Sequence, residues 1–378
     1  MAVADRFAAI TRLRQATEPQ IRSIGERLDR VEARGCDTSY LRQILRELRW
    51  RLEYTADEGA ARAALRRLRT LVKLPSPPSA ANPDEDGSYG AGTEVWFLKL
   101  DASVDHMLAP DFDESGRPPR FLDRINHPGR LKDYLNNLLV SRPSEDGIDR
   151  RKELNFATAA LVRLILWHRP ANYAWDPRLE TVMRDFLAQW QDPISGFFGA
   201  TYLINGCRLH TADLSLTFHM ARYLDGKIGY WPELIDTLIE MREGRYPNGW
   251  LDELGMTSHN NYDVAVLFRL GWRQMRPEQQ QRAAQELERL VEWCLTAAIA
   301  PDGRILARAA AESLPESYYF TIAFLDAVGY FDARGLFWTG RAFPEAPAMR
   351  ARLEQQLLTL PQQDPMVRMA RERLSRSG

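Results

Sequence analysis

Five times along the chain a polar-glycine turn is followed by a run that is apolar on nearly every side. The turns are Asp86-Gly87 before EVWFLKLDASV, Asp146-Gly147 before LNFATAALVRLILW, Ser195-Gly196 before LSLTFHMARYL, Asn248-Gly249 before YDVAVLFRLGW and Asp302-Gly303 before SYYFTIAFLDAVGYF. The glycines are spaced 60, 49, 53 and 54 residues apart. A helix that is apolar all round must be surrounded by protein. Each run is followed by an amphipathic segment that opens on a proline: Pro128, Pro177, Pro232, Pro277 or Pro347. Proline suits the first helical turn, where its missing N–H would have had no partner and its φ is already helical. Strand signals are scarce, so the pattern predicts an all-α chain whose repeating unit is an inner helix, a loop and an outer helix.

A hairpin of this size cannot bury its apolar helix alone, so successive hairpins are expected to stack, as an open solenoid or a closed ring. Helical patterns near residues 19–34, 39–54 and 58–73 supply a further hairpin or a cap, with 16 basic and 10 acidic residues through residue 75. Residues 74–88, LPSPPSAANPDEDGS, read as a surface loop from their proline and serine content. The expected layout is an N-terminal helical cap or closing hairpin over 1–75, a linker over 76–91, the main helical domain over 92–360 and a C-terminal helix or tail over 361–378.

Composition narrows the classes of function. The 378 residues carry 50 basic against 51 acidic side chains, a formal net charge of -1. A general nucleic-acid binder needs a surplus of cations to neutralise phosphates, and none exists here. Three cysteines, Cys36, Cys207 and Cys294, form no CxxC pair and leave an odd count, which argues against a disulfide framework and for a reducing compartment. Asp5, Arg6, Arg12 and Arg14 interrupt any leader-like apolar stretch at the N-terminus. The longest apolar run, Leu154 to Trp167, is broken by Arg163 and falls short of the ~20 residues a membrane span needs. A cytoplasmic protein with no membrane or nucleic-acid partner is the expectation. Contact between copies through the N-terminal helices is a further one.

Glycine-punctuated hairpins that alternate buried and amphipathic helices resemble the α/α-toroid proteins, which include six-hairpin glycosidases, toroidal polysaccharide lyases and terpenoid cyclases. The resemblance spans roughly residues 86 to 360 and is architectural. It implies five to six αα-hairpins in inner and outer rings, with an active-site cleft where the loops enter the inner helices.

That position singles out the stretch from Trp250 to Asp263, with Asp252, Glu253, His259, Asn260, Asn261, Tyr262 and Asp263. With Ser258 as helix cap, His259 and Asp263 stand four apart on one face. The preceding unit offers Cys207, His210, Asp213, Ser215 and His219. Asp213 suits either a helix cap or a catalytic carboxylate, and His219 reads as a core histidine. Cys207, His210 and Asp213 match no dedicated zinc spacing, so no metal is expected. The last unit contributes Glu312, Glu316, Tyr318 and Tyr319, and the second contributes Glu153 and Asn155. Trp250, Phe197, Phe198, Tyr202 and Tyr319 are candidate platforms for sugar rings. P-loop, GxGxxG, GxSxG and HExxH patterns are absent, and the acidic run Asp111 to Ser115 lies in a proline-rich loop, not on a DDxxD helix face.

These residues fit a glycoside hydrolase best, with no cofactor and an oligosaccharide or other small molecule as substrate. Hydrolysis needs an acid and a base or nucleophile, both carboxyls. Glu253 is the expected acid, its pKa raised by desolvation, and Asp263 or Asp213 the base. Trp250, His259, Asn261, Tyr262, Glu316, Tyr319 and His210 are the expected substrate-binding groups. Three alternatives stand beside it. One is a polysaccharide lyase using His259, Asn261 and Tyr262, another a terpenoid-type cyclase or dehydratase, and the last a non-catalytic helical scaffold.

Overall fold

The computed structural model describes residues 3–32, 36–74, 78–80, 82–109, 112, 116–167, 169–306, 313–362 and 364–376. Glu312 and most of the acidic run 111–115 therefore lie outside the described residues. The fold is all-α, and the chain divides into two compact units. The first comprises residues 1–190 and 199–211, the second 191–198 and 212–378. This differs from the expected cap, linker and single long domain, because the division falls near residues 190–212 rather than 75–92.

The first unit opens with α1 (Val3–Glu32), α2 (Ser39–Tyr54) and α3 (Glu58–Leu71). α1 is longer than its periodicity predicts and carries Pro19 inside it. These helices share a core that includes Ile10, Ile21, Leu28, Ile44, Leu48 and Leu68. At about 1.5–3 kcal/mol for each large apolar side chain removed from water, this core is a structural element in its own right. Then follow α4 (Trp96–Met107), α5 (Pro128–Leu138), the single turn α6 (Pro143–Asp146), α7 (Arg151–Val162) and α8 (Leu179–Trp190). α2 packs on both α4 and α7, which is why the N-terminal helices belong to this unit and do not form a separate cap.

A small sheet completes the first unit. β1 (Val140–Ser141) pairs in parallel with β2 (Thr201–Ile204), which pairs antiparallel with β3 (Cys207–His210). The turn between β2 and β3 is Asn205-Gly206, both at positive φ (51° and 80°). Asparagine followed by glycine is the strongest short-range hairpin signal, because a two-residue turn of the right twist needs positive φ at both places.

The second unit contains α9 (Leu214–Tyr223), α10 (Trp231–Glu240), α11 (Ser258–Gly271), α12 (Pro277–Trp293), α13 (Leu314–Ala327), α14 (Ala346–Leu358) and α15 (Pro365–Arg376). α9 packs on α11, α11 on α13, and α13 on α15, while α10 packs on α11 and α12. α15, in the segment expected to be a C-terminal helix or tail, is a helix that buries Val367, Ala370 and Leu374 in the same core. The helix starts follow their sequence. Asp213, Thr257 and Ser313 accept from backbone N–H groups as caps of α9, α11 and α13. Pro232, Pro277 and Pro347 sit in the first turns of α10, α12 and α14.

The glycine punctuation also has a physical cause. Gly87, Gly147, Gly196 and Gly303 all adopt φ between 72° and 85°, which a side chain disfavours. Gly249 is different: it is pressed against the backbone of Gly244, so closely that an added Cβ would lie 2.0 Å from the Gly244 carbonyl carbon.

Candidate functional site

The polar residues nearest the start of α11 owe their places to the loop before it. Gly244 and Gly249 pack back to back, Leu251 N donates to Gly244 O at 3.0 Å, and Tyr246 N donates to Leu251 O at 2.7 Å. Leu214 N at the start of α9 donates to Pro247 O at 2.7 Å, across a cis Tyr246-Pro247 peptide. The loop thus holds the Tyr246 phenol against α11. Asn260 Nδ2 donates to Trp250 O at 2.8 Å, tying the loop to the helix from the other side.

The cap of α11 is Thr257, whose hydroxyl accepts from Asn260 N at 3.2 Å. Ser258, the expected cap, lies inside the helix and accepts from the Thr321 hydroxyl of α13 at 2.8 Å. His259 and Asp263 do share a face, as their spacing requires, with His259 Nε2 3.9 Å from Asp263 Oδ2. Tyr246 donates its hydroxyl to the same oxygen at 3.3 Å. Asp263 Oδ1 is buried without a hydrogen-bond partner among the described residues. Only 1% of the Asp263 side chain is exposed, against 33% for His259, so the imidazole is the outward group of the pair. Burial holds the Asp263 carboxyl well above the usual carboxylate range, outweighing the opposite pulls of the Tyr246 hydroxyl and the Arg222 charge.

Around this pair stands an aromatic wall with two arginines in it. Phe320 of α13 lies 4.3 Å from the His259 ring and 6.0 Å from that of Tyr262. Arg222 of α9 sits 6.0 Å and Arg373 of α15 5.6 Å from the centre of the Tyr262 ring. Arg373 also donates to the Tyr262 hydroxyl at 3.2 Å and pairs with Asp326 at 3.0 Å. Glu316, half-buried, is one helical turn before Phe320 and shares its face of α13.

Several expected roles do not survive. Glu253 is 79% exposed beside Arg245, so the desolvation expected of an acid at this position is missing. Trp250 is fully buried against Phe268, and Phe197 and Phe198 are buried as well, which makes all three core residues and not sugar platforms. Tyr319 is 4% exposed and contributes its ring to Arg373. Asn261 lies across α11 from His259 and Asp263, because two residues advance a helix by about 200°. It is fully buried there, and neither its Oδ1 nor its Nδ2 has a partner among the described residues. The three groups expected for a lyase therefore do not face one point.

Asp213 is buried and caps α9, accepting from Leu216 N at 3.0 Å. His210 and Cys207 are exposed on β3 of the first unit, where His210 Nδ1 lies 3.1 Å from the Thr201 hydroxyl. Among the described residues no cluster of three His, Cys, Asp or Glu side chains is arranged to hold a metal.

Four residues of this site escaped the sequence reading: Tyr246, Arg222, Phe320 and Arg373. The legible signal was Arg222, a charge inside the otherwise apolar LSLTFHMARYL helix, where a cation needs a reason. Two cavities, about 490 Å³ beside Trp50 and Gly147 in the first unit and about 550 Å³ between α12 and Trp338 in the second, are not lined by His259, Asp263 or Arg222. No helix among the described residues is long and apolar enough to cross a membrane. Comparison with family models, with curated proteins and with solved structures yields no match.

Proposed function

We propose that the chain is a carbohydrate-active hydrolase whose proton-transfer group is His259, oriented by Asp263. The observation that carries this reading is the pairing of a wholly buried carboxyl with a partly exposed imidazole on one face of α11, next to a phenol and an aromatic wall. A buried carboxyl beside an imidazole on the same helix face restricts the orientation of the ring. Asp263 is thus a positioning residue, and His259 meets the substrate. Glu316 is the second carboxyl that hydrolysis requires, because its neighbour one turn on, Phe320, packs against His259. Glu253, exposed beside Arg245, takes no part. The α/α-toroid remains the proposed architecture, supported by the repetition of capped inner helices and proline-started outer ones.

Purified full-length protein assayed on a panel of neutral and uronate-bearing oligosaccharides, reading both reducing ends and unsaturated-product absorbance, tests the reading. Reducing ends without unsaturated product are expected, with His259→Gln and Glu316→Gln each lowering kcat about 100-fold or more. Asp263→Asn should displace the pH profile as well as lower the rate. Release of unsaturated product would make the chain a lyase, and no turnover on any glycan would end the carbohydrate assignment.

A further inference from the structure

Arg222 stands half-buried on α9 with aromatic rings on three sides. Its guanidinium carbon lies 5.7 Å from the centre of the Phe218 ring, 5.6 Å from that of Tyr223 and 6.0 Å from that of Tyr262. Among the described residues its guanidinium makes no ion pair and no hydrogen bond. Arg373 faces the same Tyr262 ring, but its charge is met by Asp326. Two like charges therefore converge on one tyrosine, with one carboxylate between them.

That arrangement leaves the donors of one of the two arginines unused. Ring faces attract a cation without using its N–H donors, and Arg222 is only half-buried, so those donors remain within reach of a ligand. Guanidinium offers a planar fork of donors that fits a carboxylate and is poorly used against rings alone. The nearby carboxyl, Asp263, does not supply the counter-charge, since it is not within ion-pair distance of Arg222.

We propose that Arg222 binds the carboxylate of an acidic sugar, so that the glycan acted on at His259 carries a uronate residue. This rests on the carbohydrate reading above for the identity of the ligand, but not on His259 for its binding. A second cation is close by, since Arg373 faces the same Tyr262 ring and donates to its hydroxyl.

Calorimetric titration of the full chain with an oligogalacturonate and with the neutral oligogalactose of equal length tests this. The acidic oligomer is expected to bind about tenfold more tightly, a preference that Arg222→Gln abolishes and Arg222→Lys partly keeps. The wild-type preference should also shrink as salt rises, which tests the charge without any substitution. Equal binding of the two oligomers, or a preference unchanged in Arg222→Gln protein of wild-type Tm, overturns the proposal. His259→Gln separates the two readings, since it should remove turnover and leave the preference intact. Turnover of neutral glycans with no preference would remove the uronate site and keep the hydrolase. A uronate preference without any turnover would do the reverse, and binding of neither oligomer would overturn both.

Discussion

Each unit contains a tyrosine that donates its hydroxyl to a carboxyl on an apolar helix, and the two pairs are finished differently. In the first unit Tyr134 of α5 donates to Glu153 of α7 at 2.9 Å. In the second, Tyr246 donates to Asp263 at the longer distance of 3.3 Å. Burial raises the carboxyl pKa in both, and in both the tyrosine hydroxyl and a neighbouring arginine pull it back. The difference lies in what remains unsatisfied. Glu153 is half-buried and has no buried oxygen without a partner, and Arg124 lies over the Trp96 and Tyr134 rings beside it. Asp263 is sealed in, with one oxygen left over and an imidazole 3.9 Å away. A buried polar atom without a partner costs stability and calls for a reason, whereas a satisfied one explains itself through structure.

The sharpest way to break this contrast is turnover. Asp263→Asn should lower kcat/KM on whichever glycan the panel identifies by about 100-fold, while Glu153→Gln changes it by less than about threefold. Equal losses would show that the first pair is catalytic or that neither is.

The next effect is on stability against pH. Asp263 keeps its proton in the folded chain at pH values where the unfolded chain has lost it. The unfolded state then binds fewer protons, and stability falls as pH rises from the ordinary carboxylate range toward the raised folded value. Melting temperatures measured across that window should decline in the wild type and flatten in Asp263→Asn. Glu153→Gln should flatten the curve less, because its carboxyl is less completely buried. A wild-type Tm independent of pH there would mean that Asp263 is ionised in the fold.

The smallest effect separates the two hydroxyls. Tyr134→Phe removes the shorter bond and should cost about 1 kcal/mol in urea denaturation, with Tyr246→Phe costing about half as much. The reverse order would place the tighter interaction at Asp263.

Much of the scaffold was legible because it depends on local chemistry. Left-handed glycines at 87, 147, 196 and 303 and prolines in first turns specify backbone angles, and these need no knowledge of distant contacts. The Asn205-Gly206 hairpin was equally local and was missed because its strands are only four residues long. α1 starts at Val3, well before the helical pattern near residue 19, and carries Pro19 in its interior, where tertiary packing overrides the usual effect of proline. The site was half legible. His259 and Asp263 follow from helix spacing, but which face of α11 is lined by Phe320, Arg222 and Arg373 depends on packing with α9, α13 and α15. Composition alone could not distinguish Trp250 as core from Trp250 as platform, or show that Glu253 stands in water.

The back-to-back contact of Gly244 and Gly249 works as a mechanical tolerance. The phenol of Tyr246 reaches Asp263 from a loop whose two strands touch at bare backbone, so the thickness of that contact sets how far the hydroxyl extends. A single methyl at position 249 would prop the loop open. It would touch neither carboxyl nor imidazole, yet it would withdraw the one hydroxyl that Asp263 has. The alignment of the pair is therefore governed by a residue with no side chain at all.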